Sequence, residues 1–206
     1  MYICTRIMRD KILEKSGELF LHLGFKSVTM DEIANSLGVS KKTIYKYYKN
    51  KTELINAVTQ FMFDTVSCGI DDICSLKMNP IDEIFEIKKF VMLHLKDEKS
   101  SQQYQLQKYY PKIYASLKDK QFHVMQACVI ENLKSGIESK LYRENIDLDF
   151  ISRIYFNGMV NIKDRDLFPL RDYSMNTLMN YFLEYHLRGI CTEKGIQQLE
   201  NQLKQK

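Results

Sequence analysis

Glycine and proline are scarce in this chain, at 8 and 3 of 206 residues, under half of the roughly 12 % that the pair averages in globular proteins. A fold rich in tight turns is thereby excluded, and long helices are favoured. Long apolar runs are missing too. Even a charge-free stretch such as Tyr173 to Leu183 falls short of the roughly 18 apolar residues that a membrane span requires. Charge arrives at Arg6, Arg9 and Asp10 before any stretch that could serve for export, so no membrane is expected as a partner and a cytoplasmic location is expected. The five cysteines, Cys4, Cys68, Cys74, Cys128 and Cys191, are odd in number and contain no C-x-x-C pair. They read as reduced thiols, mostly small core residues, and not as a disulfide framework.

Chemistry-bearing constellations are equally absent. His22, His94, His123 and His186 are far apart, with no H-x-x-x-H or E-x-x-H spacing that could hold a metal. His94 with Asp97 and Glu98 reads as a solvated helix end. Cys128 follows His123 by five residues, a spacing that does not stack on one helix face, so it reads as a buried thiol and not as a nucleophile beside its base. There is no G-x-S-x-G, P-loop or dinucleotide fingerprint. No catalytic residue, cofactor or metal is expected, and an all-helical enzyme or carrier is the rival reading without a constellation to support it.

What the chain does have is 45 % hydrophobic and 27 % charged residues, enough for a sizeable core beneath a charged surface. Its net charge of +4 is unevenly spread: residues 1–54 carry 10 Lys/Arg against 6 Asp/Glu, and residues 55–206 carry 20 against 20. An anionic partner is therefore expected for the N-terminal quarter alone. The periodicity is helical throughout, without a strand pattern or an internal repeat. Ile7, Ile12, Leu13, Leu19, Phe20 and Leu23 mark a first helix that Gly24 stops. Thr29-Met30-Asp31-Glu32 has capping-box form for a second, ending near Leu37. Gly38 gives a turn, Ser40 caps a third, and Asn50 caps a fourth that runs to about Ile73. Asn79-Pro80-Ile81-Asp82 opens another helix, with Ile81, Ile84, Phe85, Val91, Met92 and Leu95 on one stripe. Pro111 breaks whatever precedes it, and a long segment from Pro111 to Tyr142 follows. Two last long helices are expected near 147–162 and 172–190. The tail beyond Thr192 is left open between helix and fraying.

Two short helices joined through Gly38, the second loaded with Lys and Tyr, have the layout of a helix-turn-helix. On a helical wheel Lys41, Lys42 and Tyr45 fall within about 100° of one another, with Lys46 at the edge, while Ile44 points roughly 110° away. One face can thus enter a major groove while the other packs on Ile33, Ala34 and Leu37. Lysines suit phosphates and guanine edges, and the hydroxyls of Tyr45 and Tyr47 suit phosphates. Lys51 can reach the backbone from the next helix.

Ile12-Leu13, Leu19-Phe20, Gly24-Phe25, Val28-Thr29-Met30, Ile33-Ala34, Gly38 through Lys51 and Leu54 together resemble the tetracycline-repressor (TetR) family. Two departures are Ser16, where the family usually has a small apolar residue, and Gly17 inside the first helix. The resemblance implies an all-α fold: a three-helix DNA-binding domain over 1–54 and a helical ligand-binding and dimerisation domain over 55–206. It implies DNA contacts from Thr29, Ser40, Lys41, Lys42, Thr43, Tyr45, Lys46, Tyr47 and Lys51. It also implies a cytoplasmic regulator, a repressor in the first instance, released from a palindromic operator by a small molecule. An effector-independent DNA-binding dimer stays open as the alternative.

The C-terminal region raises a pair of further expectations. Met92, Tyr104, Tyr110, Tyr114, Phe122 and Met125 read either as core or as the border of a largely apolar effector pocket near the Pro111 break. The helices near 147–162 and 172–190 carry apolar residues on more than one face. Leu148, Ile151, Tyr155, Met159 and Ile162 form one face of the first, Phe150 and Ile154 open a second, and Gly158 permits close approach. A four-helix homodimer interface is expected there, placing two recognition helices about 34 Å apart.

Overall fold

In the computed structural model, residues 2–94, 101–164, 166–169 and 171–204 are described, with side chains from residue 7 in the first range and from residue 104 in the second. Leu95, Asp97 and Glu98 lie outside the described residues. Among the described residues the secondary structure is helical, with a single isolated bridge between Tyr142 and Cys191. Ten helices follow one another: α1 Tyr2–Leu23, α2 Met30–Ser36, α3 Lys41–Tyr45, α4 Lys51–Ser75, α5 Pro80–His94, α6 Ser101–Tyr109, α7 Pro111–Glu138, α8 Leu148–Asn161, α9 Met175–Ile190 and α10 Glu193–Lys204.

Their ends follow from local chemistry. Gly24 adopts φ +87° and donates its N–H to the carbonyl of Phe20 at 2.9 Å, a left-handed stop that costs a Cβ-bearing residue strain. Asn79 accepts from the N–H of Ile81 at 3.0 Å, with Pro80 at the first helical position, where a missing N–H costs nothing. Asp147 and Ser174 cap α8 and α9 through the N–H groups of Phe150 and Thr177. Pro111 separates α6 from α7 as the sequence predicts. The segment expected to run to Tyr142 leaves the helix after Glu138, where Lys140 takes φ 60° and the N–H groups of Leu141 and Tyr142 both turn back to the Gly136 carbonyl. The tail is helical because Thr192 caps it through the N–H of Gly195 and Leu199 is fully buried.

The chain divides into two compact units, Met1–Ser67 with Leu95–Lys120, and Cys68–His94 with Gln121–Lys206. The first is larger than the 1–54 segment expected from the sequence. Its core of Ile12, Phe20, Val28, Ile33, Ile44, Leu54, Ile55 and Val58 also takes in Leu106 of α6 and Ile113 of α7. The second unit holds two clusters, one around Ile81, Leu133, Tyr142, Leu187 and Leu199, the other around Ile162, Leu178 and Met179. Helices α4 and α7 each contribute to both units.

A buried polar network sits inside the second unit. The Asn132 amide donates to the Pro80 carbonyl (2.9 Å) and to Glu83 (2.7 Å), and its oxygen accepts from the Tyr142 hydroxyl at 3.1 Å. Burial raises Glu83 above the usual carboxylate range, opposed by the Asn132 hydrogen bond. Close approaches at glycine complete the packing: a Cβ on Gly136 would lie 1.9 Å from the Tyr142 ring, and one on Gly158 2.1 Å from Phe182. The approach that Gly158 permits is therefore made by a residue of the same chain.

The two departures in α1 are stability reserves. Ser16 is fully buried and its hydroxyl finds no hydrogen-bond partner among the described residues. A Cβ on Gly17 would meet only ordinary contacts, at 3.6 Å and 3.8 Å. Ser16→Ala should stabilise by about 1 kcal/mol through removal of an orphaned polar group, and Gly17→Ala by about 0.5–1 kcal/mol through helix propensity. Gly136→Ala should destabilise by about 1–3 kcal/mol through overpacking against Tyr142. Thermal melting of the three variants should show two rises and one fall, each of a few degrees.

Candidate nucleic-acid interface

The unit built from α2, the Gly38 turn and α3 is specified residue by residue. Thr29 caps α2: its hydroxyl accepts from the Glu32 N–H at 3.1 Å, and the Glu32 carboxylate accepts from the Thr29 N–H at 2.7 Å, satisfying two orphan donors at once. Gly38 takes φ +64° with open space around it. Ser40 caps α3 through the Thr43 N–H at 3.1 Å, and its hydroxyl pairs with that of Thr43 at 2.9 Å. Asn50 accepts from the Glu53 N–H at 2.8 Å, while Glu53 accepts from the Lys49 N–H at 2.9 Å, and α4 starts there. Ile33, Ala34, Ile44 and Tyr48 are buried between these elements.

That burial turns the other side of α3 outward. Lys41, Lys42 and Lys46 are exposed, Tyr45 is 43 % exposed, and Thr43 and Tyr47 are half-buried. The wheel geometry read from the sequence, with Ile44 inward and Lys41, Lys42 and Tyr45 outward, is the one the structure has. The three lysines are not equivalent. Lys41 pairs with Asp31 across the turn at 2.7 Å, and this hydrogen bond raises its pKa. Lys42 and Lys46 have no hydrogen bond or ion pair among the described residues, so their full charge is available to a phosphate.

Lys51 is placed differently from a free surface lysine. Its ammonium donates to the Lys26 carbonyl at 3.1 Å, strapping the start of α4 to the α1–α2 connection, and partial burial lowers its pKa. The same connection is held from α6. Gln105 accepts from the Lys26 N–H at 3.0 Å, and Lys26 lies 5.0 Å from the centre of the Tyr109 ring. Gln105 and Lys26 were not legible as a pair, because 79 residues separate them.

The residues read as core or pocket are dispersed. Tyr110 and Tyr114 pack on the core of the first unit, and burial raises the Tyr110 phenol. Tyr104 is 57 % exposed and accepts from Lys108 at 3.2 Å. Met92 packs on the Ile162, Leu178 and Met179 cluster of the second unit. Phe122 meets Phe156 edge-on at 5.2 Å beneath the Arg153 guanidinium, and Met125 is half-buried. The structure thus brings Tyr110 and Tyr114 together in one unit and leaves Met92 and Phe122 at separate places in the other. An aromatic group the sequence did not single out joins α8 to α9: Tyr155, Phe182 and His186 have ring centres 5.0 to 6.0 Å apart. Burial keeps His186 neutral, with its pKa lowered to about 4.

Comparison with known proteins bears on the same N-terminal residues. Residues 12–58 match the family model described as bacterial regulatory proteins, tetR family. The HTH-type transcriptional activator FasR of Mycolicibacterium smegmatis is 37 % identical over 62 residues, which are 30 % of this chain and 28 % of that one. YvaF, an uncharacterised HTH-type transcriptional regulator of Bacillus subtilis, is 24 % identical over 189 residues, spanning 91 % of this chain and 97 % of that one. The crystal structure of a tetR-family regulator from Mesorhizobium loti superposes with a TM-score of 0.70 at 16 % identity, covering 91 % and 98 % of the two chains, and so shares the fold.

The caps should carry measurable stability. Ser40→Ala and Thr29→Ala should each cost about 1 kcal/mol in urea unfolding, and Ser40→Gly only a few tenths. Equal losses for Ala and Gly would remove capping as the explanation.

Proposed function

The chain belongs to the tetR family of bacterial transcriptional regulators, and from that premise we propose that it acts as a homodimer on a palindromic operator, as a repressor that a small-molecule effector releases. The family is one of DNA-binding regulators and not of enzymes. The observation that carries the reading is the face of α3, where Lys41, Lys42 and Tyr45 are exposed while Ile44 is fully buried. Thr29, Ser40, Thr43, Lys46, Tyr47 and Lys51 flank that face and complete the proposed contact set. In this assignment Lys42 reads base edges and Lys46 neutralises a phosphate. A dimer seated on its operator would exclude other proteins from that DNA, which is the ground for proposing repression.

Support for the dimer comes from α8 and α9. Phe150 and Ile154, one turn apart on α8, are 60 % and 44 % exposed, and Tyr181 and Tyr185, one turn apart on α9, are 62 % and 78 % exposed. Apolar side chains recurring at this spacing along a helix are a face that wants covering. Support for effector control comes from α4, which is one continuous helix from Lys51 to Ser75 and would link the DNA-binding and effector-binding regions. An effector that prefers a conformation with misplaced recognition helices weakens operator binding by its differential affinity for the two states. Phe122 and Met125, three residues apart on α7, remain the proposed border of its site in the second unit, whereas Met92 belongs to a separate cluster there and Tyr104, Tyr110 and Tyr114 belong to the first unit.

Selection on random duplexes, repeated at several salt concentrations, should enrich an inverted repeat with half-sites about one helical turn apart. Lys42→Ala should relax the preference at one position of each half-site, and Lys46→Ala should reduce the salt slope by about one without changing the preferred sequence. Absence of both enrichment and salt dependence would overturn the reading. Light scattering should return twice the 24.4 kDa chain mass at micromolar concentration. Ile154→Lys combined with Tyr185→Lys should bring it to one chain and weaken operator binding with it.

A further inference from the structure

The sulfur of Cys74, in the last turn of α4, lies 3.6 Å from the sulfur of Cys128, within α7. Both residues belong to the second unit, both are free thiols and both are half-buried. The sequence weighs Cys128 only against His123. The structure gives it a different partner, 54 residues away along the chain. We propose that Cys74 and Cys128 form a dithiol site that an oxidant of the peroxide class closes to an intrachain disulfide, and that the closed form differs from the open form in operator affinity. The second clause rests on the DNA-binding reading above.

Geometry supports closure. A disulfide needs its sulfurs about 2.05 Å apart, so from 3.6 Å they must approach by about 1.5 Å. The two cysteines are not alike. Burial raises both thiols and raises Cys128 further, and either thiol can donate to the other across the 3.6 Å contact. Cys74 is the less deeply buried of the two, so it is the one an oxidant reaches first, and Cys128 resolves. The Cys74 thiolate attacks one peroxide oxygen, the O–O bond breaks, and hydroxide leaves with the proton the thiol had given up, as water. Cys74 is then a sulfenic acid. The Cys128 sulfur attacks the Cys74 sulfur, the S–O bond breaks, and the Cys128 proton leaves with the oxygen as a second water. Two thiols are oxidised by two electrons, and one peroxide is reduced.

The consequence lies in which helices the bond would join. Cys74 is on the helix whose first residue is Lys51 at the proposed interface, and Cys128 is on α7. A covalent tie between them restricts the freedom of the α4 end to move against α7, and a two-state regulator whose states differ there must change its operator affinity.

The test uses the full chain, reduced and then exposed to hydrogen peroxide, with free thiols alkylated before intact mass measurement and peptide mapping. The Cys68→Ser variant serves as the working background, since exposed Cys68 can cross-link copies. The expected result is the loss of two hydrogens, a linked peptide pair holding Cys74 and Cys128, and an operator affinity altered by about fivefold or more, as allosteric couplings typically run, restored by dithiothreitol. Cys74→Ser and Cys128→Ser, with the matching Ala variants as a check on folding, should each lose the link and the affinity change while binding the operator as the reduced protein does. Failure to form the link under conditions that fully oxidise Cys68 in the unsubstituted chain would overturn the site. A link formed without any change in operator affinity would overturn its regulatory role. Operator binding by the reduced protein is read in the same assay, so a protein that binds no DNA in either state fails the earlier reading and leaves the mass result to judge the site.

Discussion

A five-residue helix is too short to hold itself together in water, because the cost of its nucleus exceeds what one turn of hydrogen bonds returns. Helix α3 is such a helix, and the proposed interface exists only because α3 is fixed from outside. Ile44 is fully buried, Tyr48 is nearly so just beyond its end, and Ser40 closes its first turn. The core that receives Ile44 is assembled from α1, α2 and α4, with Leu106 and Ile113 added from later in the chain. The exposed lysines and tyrosine are thus held by apolar contacts on the opposite side, and their spacing is only as rigid as that core.

Charge within the interface is partitioned. Asp31 engages the Lys41 ammonium, and the Lys26 carbonyl takes one hydrogen bond of Lys51, whereas Lys42 and Lys46 are left without an ion pair among the described residues. Exposed ion pairs contribute little to folding, so the Asp31–Lys41 pair is better understood as orienting Lys41 than as stabilising the domain. Lys51 serves structure as well as charge, because its hydrogen bond crosses 25 residues to the α1–α2 connection.

Much of this was legible in the sequence for a physical reason. Caps and turns are local: Thr29 with Glu32, Ser40 with Thr43, Gly24, Gly38 and Pro111 each act within three or four residues, and so they can be read along the chain. The inward and outward faces of α3 follow from helical periodicity in the same way. Associations across the chain were not legible. The Gln105 contact with Lys26 joins α6 to the α1–α2 connection, and the Cys74–Cys128 pair and the Tyr155–Phe182–His186 group join different helices; no periodicity specifies which elements meet. The first unit's claim on Leu106 and Ile113 was hidden for that reason, since both belong to helices that a linear division assigns elsewhere. Gly158 shows the limit from another side: its small size was readable, but the ring that fills the space came from within the chain.

Asn132 has a consequence for how this protein can change over generations. Its one side chain satisfies the Pro80 carbonyl, the Glu83 carboxyl and the Tyr142 hydroxyl together. Replacing Asn132 or Tyr142 alone leaves a buried polar group without its partner, at a cost of order 1–3 kcal/mol, while replacing the set together by well-packed apolar groups can be nearly neutral. A first step at Asn132 or Tyr142 thus passes through a less stable intermediate. The network is therefore retained by the depth of the valley around it, and drift in the second unit should accumulate at the other positions of α5 and α7 first.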